Sequence, residues 1–121
     1  MANIRESLKE IMEIEGATGA TLVDYQSGMT LGTIGGEGTD MELAGAANTE
    51  VVRSKKEMID RMGIDDGLNE ILISLNDEYH LIRVLPENDN VFTYVMLNRE
   101  QANLGLARLR IQEIDEKLTL E

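Results

Sequence analysis

The feature that most restricts how this chain can fold is one helix-patterned stretch, Thr39 to about Met62, with strand-patterned sequence on both sides of it. A helix set mid-chain between two groups of strands must lie across the sheet they form. It follows the loop Gly35-Gly36-Glu37-Gly38 and stops at Gly63, a residue type that commonly ends helices. Thr39 with Glu42 matches a capping box at its start. Ala44, Ala47 or Asn48, Val51, Lys55, Met58 and Met62 then recur at three-to-four spacing. The succession Ala44-Gly45-Ala46-Ala47 leaves room for another backbone to come close, so this helix is both a core element and the first candidate for a contact surface.

The flanks supply the other elements. Asn3 with Glu6 predicts an N-cap, and Ile4, Leu8, Ile11 and Met12 keep helical spacing in a short helix ending near Gly16. Ala17 to Tyr25 alternates as a strand, Gln26-Ser27-Gly28 turns, and Met29 to Ile34 returns. After the central helix, Asp65-Asp66-Gly67 leads into a strand over Leu68 to Asn76 whose two faces are not cleanly separated, as suits a strand joined to another chain. Tyr79 to Leu85 is stopped by Pro86, the turn Glu87 to Asn90 follows, and Val91 to Leu97 has the alternation expected of a strand at the sheet centre. Asn98 with Gln101 predicts the cap of a last helix. Its stripe Leu104, Ala107, Ile111, Ile114 and Leu118 faces the core, and Arg108, Arg110, Glu113, Asp115, Glu116 and Lys117 read as solvated charge.

Residues 1–121 fit a single α+β domain. With 11 Lys and Arg against 23 Asp and Glu, the formal net charge of −12 opposes nonspecific attraction to nucleic acid or anionic membrane. No apolar run approaches the ~20 residues of a membrane span, so membrane insertion is not expected and the cytoplasm is the default location. Cysteine is absent, which removes disulfides and thiolate metal sites.

Catalytic chemistry finds little to work with. His80 is the one histidine, so a zinc site or Cys–His pair cannot be assembled, and the serines at 7, 27, 54 and 74 lie in no Gly-x-Ser-x-Gly elbow. The glycine loop before the central helix lacks the Gly-Lys-Ser/Thr of a phosphate loop, and Glu37 would repel an anion. Asp65 and Asp66 lack the alternating ligands of a calcium loop. Catalytic, cofactor and metal residues are therefore expected to be none, and an enzyme is not the expected class. The basic cluster Arg53, Lys55, Lys56 and Arg61 on the central helix stands out in so acidic a chain, with Glu57 and Asp60 offsetting part of it.

Taken together, the opening Ile4-x-x-x-Leu8-x-x-Ile11 leading to Glu15-Gly16-Ala17, the hairpin Ala20-Thr21-Leu22-Val23-Asp24 through Ser27-Gly28, the small-residue central helix and the strand Glu70-Ile71-Leu72-Ile73 resemble the Roadblock/dynein-light-chain family, including its bacterial MglB-like members. The resemblance covers nearly the whole chain. It implies the element order α-β-β-α-β-β-β-α, a five-stranded antiparallel sheet in the order 2-1-5-4-3, the central helix on one face and the terminal helices on the other. It also implies a homodimer in which third strands meet at their edges and central helices lie side by side. Family members act as noncatalytic partners of small Ras-like GTPases, as GTPase-activating proteins, scaffolds or adaptors, and no catalytic residue is carried over.

These readings lead to an expected homodimeric regulator of a small Ras-like GTPase or related signalling protein. Ala44, Ala47, Asn48, Val51, Lys55, Ile71 and Ile73 are its expected dimer interface, and Arg53, Lys55 and Lys56 its expected partner contact. The alternative is a small-ligand sensor without catalytic activity, with its pocket between sheet and helices.

Overall fold

The computed structural model describes residues 2–86 and 88–120, so Glu87 of the expected turn lies outside the described residues. In chain order the elements are α1 (Ile4–Met12), β1 (Ala17–Asp24), β2 (Met29–Gly35), α2 (Met41–Arg61), β3 (Glu70–Ser74), β4 (Glu78–Val84), β5 (Val91–Asn98) and α3 (Leu104–Lys117). The strands form one antiparallel sheet in the order β2-β1-β5-β4-β3, as the resemblance implies.

Pleating sends alternate residues of each strand to opposite faces. Val23, Ile82, Phe92, Tyr94 and Met96 pack with Met41 and Val52 of α2. Ala20, Leu81, Val95 and Leu97 point the other way, onto Leu8 and Ile11 of α1 and Ala107, Ile111 and Ile114 of α3. Strand β5 is buried from Val91 to Leu97, in keeping with its place between β1 and β4. At the β1–β2 turn, Gly28 takes φ +76°, and its N–H donates to Asp24 O at 2.8 Å.

Helix α2 comes closest to the sheet at Gly45. A Cβ there would lie 2.8 Å from Cγ2 of Val23 and 3.4 Å from the side chain of Thr21. Of the four small residues in succession, this one is required by packing inside the chain, whereas Ala46 and Ala47 are exposed.

The helix starts and one strand differ from the sequence expectation. Helix α1 has the predicted capping box, with Asn3 Oδ1 accepting from Glu6 N–H at 2.8 Å and Glu6 Oε1 from Asn3 N–H at 3.2 Å. Helix α2 is capped by Asp40 instead of Thr39: Asp40 Oδ1 accepts from Leu43 N–H at 3.1 Å, while Thr39 N–H closes a turn onto Gly36 O at 2.7 Å. Helix α3 is capped by Asn103, not Asn98, because Asn98 still pairs with Glu78 in the sheet and its side chain caps only the turn at Gln101. Strand β3 runs only from Glu70 to Ser74, with single backbone hydrogen bonds at Asn69 and Leu75 closing its ends onto β4.

Replacing Gly45 by Leu should lower unfolding free energy by about 2 kcal/mol or more, since the side chain must displace fully buried Val23. Chemical denaturation followed by circular dichroism measures this, and wild-type stability would show that α2 can lift off β1 without cost.

Candidate functional site

The outward side of α2 carries apolar side chains left exposed among the described residues. Leu43 and Met62, at its two ends, are 65% and 66% exposed, and Val51 and Met58 lie between them at 39% and 46%. Isolated exposed apolar residues are ordinary, but a row of them along one helix makes that side a candidate contact surface. Beside this row runs a groove of about 810 Å³, lined by Glu50, Val51, Ser54, Lys55 and Met58 of α2, and by Leu68, Glu70 and Ile71 at the start of β3. Strand β3 is the last strand of the sheet and pairs only with β4, so its other edge has unpaired backbone groups.

The expected interface residues divide between two environments. Val51 and Lys55 meet Ile71 at the groove, and Ala47 lies exposed on α2. Ala44 and Asn48 are half-buried, with Asn48 Nδ2 donating to Ala44 O at 2.7 Å. Ile71 and Ile73 are half-buried too and pack on the core cluster beneath α2.

The basic cluster is less available than its sequence suggests. Arg53 Nη2 donates to Gln26 O at 2.7 Å and Nη1 meets Glu50 at 3.3 Å. Lys56 Nζ donates to Tyr25 Oη at 2.7 Å and to Asp89 O at 2.9 Å, and lies 4.3 Å from the centre of the Tyr25 ring. These two cations tie α2 to the loops after β1 and before β5. Glu57 pairs with Arg61 at 2.7 Å instead of Arg53. Lys55, whose Nζ reaches only the Met58 sulfur at 3.9 Å among the described residues, is left as the cation of this helix open to a partner.

His80 has a structural setting: its Nε2 lies 2.8 Å from Glu78 Oε1 and its Nδ1 3.1 Å from Tyr94 Oη. Asp66, read above against a calcium loop, uses Oδ1 to accept from Gly67 N–H at 2.9 Å, a local turn contact.

Sequence reasoning missed a buried ionic chain on the opposite face. Glu70 of β3 accepts from Arg83 Nη1 of β4 at 3.0 Å and pairs with Arg108 of α3. Arg83 Nε lies 3.6 Å from Oδ2 of Asp115, whose Oδ1 accepts from Thr93 Oγ1 at 3.0 Å. Side chains of Arg83 and Asp115 are only 8% and 1% exposed, so Asp115 is not the solvated charge expected of it. The signal was present in the spacing: Asp115 lies four residues after Ile111, within the core-facing register of α3, and Arg83 sits between Ile82 and Val84. Burial pushes the Asp115 carboxyl up from 3.8 to about 7, against the opposing effects of the Thr93 hydrogen bond and the Arg83 charge.

With the fold in hand, the comparison with solved structures decides between architectures of this class. A Roadblock/LC7 domain from Streptomyces avermitilis superposes with a TM-score of 0.80 over 95% of this chain and 93% of its own, at 11% identity. The fold is that of the Roadblock/LC7 domain. Myxococcus xanthus MglB matches over 91% of this chain and 77% of its own, with a TM-score of 0.74 and 17% identity. The gliding protein MglB of Thermus thermophilus matches over 93% and 82%, with a TM-score of 0.76 and 16% identity. No family model and no curated protein matches the sequence. No helix among the described residues is long and apolar enough to cross a membrane.

The raised value at Asp115 sets a sign for pH dependence. The folded carboxyl holds its proton more tightly than the unfolded one, so its stabilising contribution is complete below 3.8 and is lost as pH rises toward about 7. Denaturant titrations of wild type and Asp115→Asn at pH 4.5 and 7.5 should give unfolding free energies that change differently with pH. Wild type should lose stability relative to the variant by on the order of 3 kcal/mol across this window. Parallel pH profiles would show Asp115 ionised throughout.

Proposed function

We propose that this chain is a noncatalytic, homodimeric, cytoplasmic regulator or scaffold that binds a small Ras-like GTPase or a related signalling protein. The observation that carries this reading is the Roadblock/LC7 fold with the outer side of α2 and the free edge of β3 uncovered. That fold is shared with the solved MglB structures from Myxococcus xanthus and Thermus thermophilus, and partnership with Ras-like GTPases is what the family resemblance implies. The dimer would use Ala44, Ala47, Asn48, Val51, Lys55, Ile71 and Ile73. Val51, Lys55 and Ile71 already line one groove, which supports the assignment.

The partner surface is assigned to α2 and its adjoining loops. Lys55 is its free cation, while Arg53 and Lys56 shape the loops they hold. A charge placed at the rim of an interface alters association rate and salt dependence more than it alters affinity.

The groove also favours a second reading, a small-ligand sensor, because about 810 Å³ would hold a modest molecule. Its open mouth and its place beside an unpaired strand edge fit side chains of another protein better than an enclosed metabolite.

Binding of wild type and Lys55→Glu to a panel of Ras-like GTPases, each loaded with GTP analogue or GDP, tests the function. At least one GTPase should bind, with a roughly threefold to tenfold slower association for the variant at low salt. Absence of binding in every nucleotide state would overturn the partner assignment. Sedimentation at micromolar concentration should show a dimer, and Ile73→Asp should impair it; a compact wild-type monomer contradicts the homodimer.

A further inference from the structure

The buried ionic chain on the α3 face is assembled by strand register. Glu70, Arg83 and Thr93 are direct cross-strand partners on β3, β4 and β5, so their side chains form one polar row on the face that also carries Leu81 and Val95. Helix α3 lays Arg108 and Asp115, about two helical turns apart, over this row. Glu70 is held twice, by Arg83 Nη1 at 3.0 Å and by Arg108. Asp115 has no such hold on a cation: its Oδ2 and the Nε of Arg83 face each other at 3.6 Å, both buried and both without a hydrogen-bond partner. Thr93 is neutral, and the next ion pair along α3, Lys117 with Glu10 of α1 at 3.8 Å, is a separate and more exposed one.

We propose that Arg83 is a two-position switch: while Asp115 holds a proton its guanidinium is committed to Glu70, and when that proton passes to solvent the guanidinium moves toward α3, closing an Nε–H···Oδ2 hydrogen bond and loosening its hold on Glu70. The charge count supplies the reason. With Asp115 neutral, two cations share the single carboxylate of Glu70. With Asp115 ionised there are two carboxylates, and each cation takes its own, Arg108 with Glu70 and Arg83 with Asp115. That arrangement also satisfies two buried polar atoms, a donor and an acceptor, that otherwise stay unpaired at a cost. Burial raises the Asp115 carboxyl to about 7, which sets the exchange near neutrality.

The exchange reaches the surface through Glu70. This residue is the first of β3 and also lines the groove beside α2. In acid Arg83 fastens that end of the edge strand to β4. Above the Asp115 transition the fastening passes to Arg108, which is half exposed on α3. A proton held in the interior therefore controls how firmly one wall of the groove is anchored.

Nuclear magnetic resonance of the arginine side chains reads the exchange in the protein alone, from about pH 4.5 to about pH 8.5. The Arg83 Nε–H resonance, assigned by its loss in Arg83→Lys, should move downfield with the same midpoint as the Asp115 carboxyl carbon. Relative to exposed arginines, its exchange with solvent should slow about tenfold or more across the transition. In Asp115→Asn it should keep its acid position throughout. In Glu70→Gln, where no carboxylate draws the guanidinium toward β3, the Asp115 midpoint should fall by about one pH unit. Circular dichroism checks that each variant is folded, and the wild-type readout stands without them. An Arg83 Nε–H resonance that stays in place while Asp115 titrates overturns the switch, as does a transition that persists in Asp115→Asn or the absence of any Asp115 transition in this range. An unchanged Asp115 midpoint in folded Glu70→Gln overturns the competition from Glu70. These readouts need neither a partner nor a dimer, so the switch and the regulator reading fail separately.

Discussion

Strands β1 and β5 are buried on both faces, and the rest of the structure depends on that double burial. A sheet with an apolar centre on either side needs a helical layer on each. Helix α2 covers one face and α1 with α3 the other. The contact at Gly45 brings α2 down onto Thr21 and Val23, where any side chain would hold it away. Once α2 is seated against β1, its outer side and the far edge at β3 are left uncovered among the described residues. The surface assigned to partners is what remains after the core is closed.

The charged residues follow the same division. On the α2 face, Arg53 and Lys56 direct their hydrogen bonds to backbone carbonyls and Tyr25, fastening helix to loops, so a cluster that is basic in sequence offers mainly Lys55. On the α3 face, Glu70 lies between Arg83 and Arg108 while Asp115 faces Arg83 without forming a hydrogen bond to it. A buried ion pair is weak evidence for stability, because desolvation opposes the attraction. Its placement carries more information: it connects α3, β4 and the first residue of edge strand β3.

Much of this architecture was legible in the residues, for identifiable reasons. Hydrophobic periodicity located every helix and strand, because burial of a helix stripe or strand face is a local constraint repeated along the chain. Caps were less legible. Thr39 and Asp40 both offer a side-chain oxygen near the start of α2, and the turn from Gly36 to Thr39 decides between them. Asn98 carries a cap pattern, yet it remains paired with Glu78, and Asn103 starts α3 instead. Among the residues expected at an interface, Val51, Lys55 and Ile71 line one groove, while Ala44 and Asn48 are half-buried within the chain.

The sequence by itself determined the α+β class, the order of elements, the core stripes and the acidic character that disfavours nucleic acid, since these rest on local periodicity and summed charge. Only the tertiary structure decided which cations of α2 are occupied, that Asp115 and Arg83 are buried together, and which backbone groups of β3 face outward. Each of these depends on what lies across a strand or above a helix, at sequence separations that no local pattern encodes. Arg53 finds Gln26, Arg83 finds Asp115, and β3 ends the sheet, because the closed core brings some distant segments together and leaves one edge unmatched.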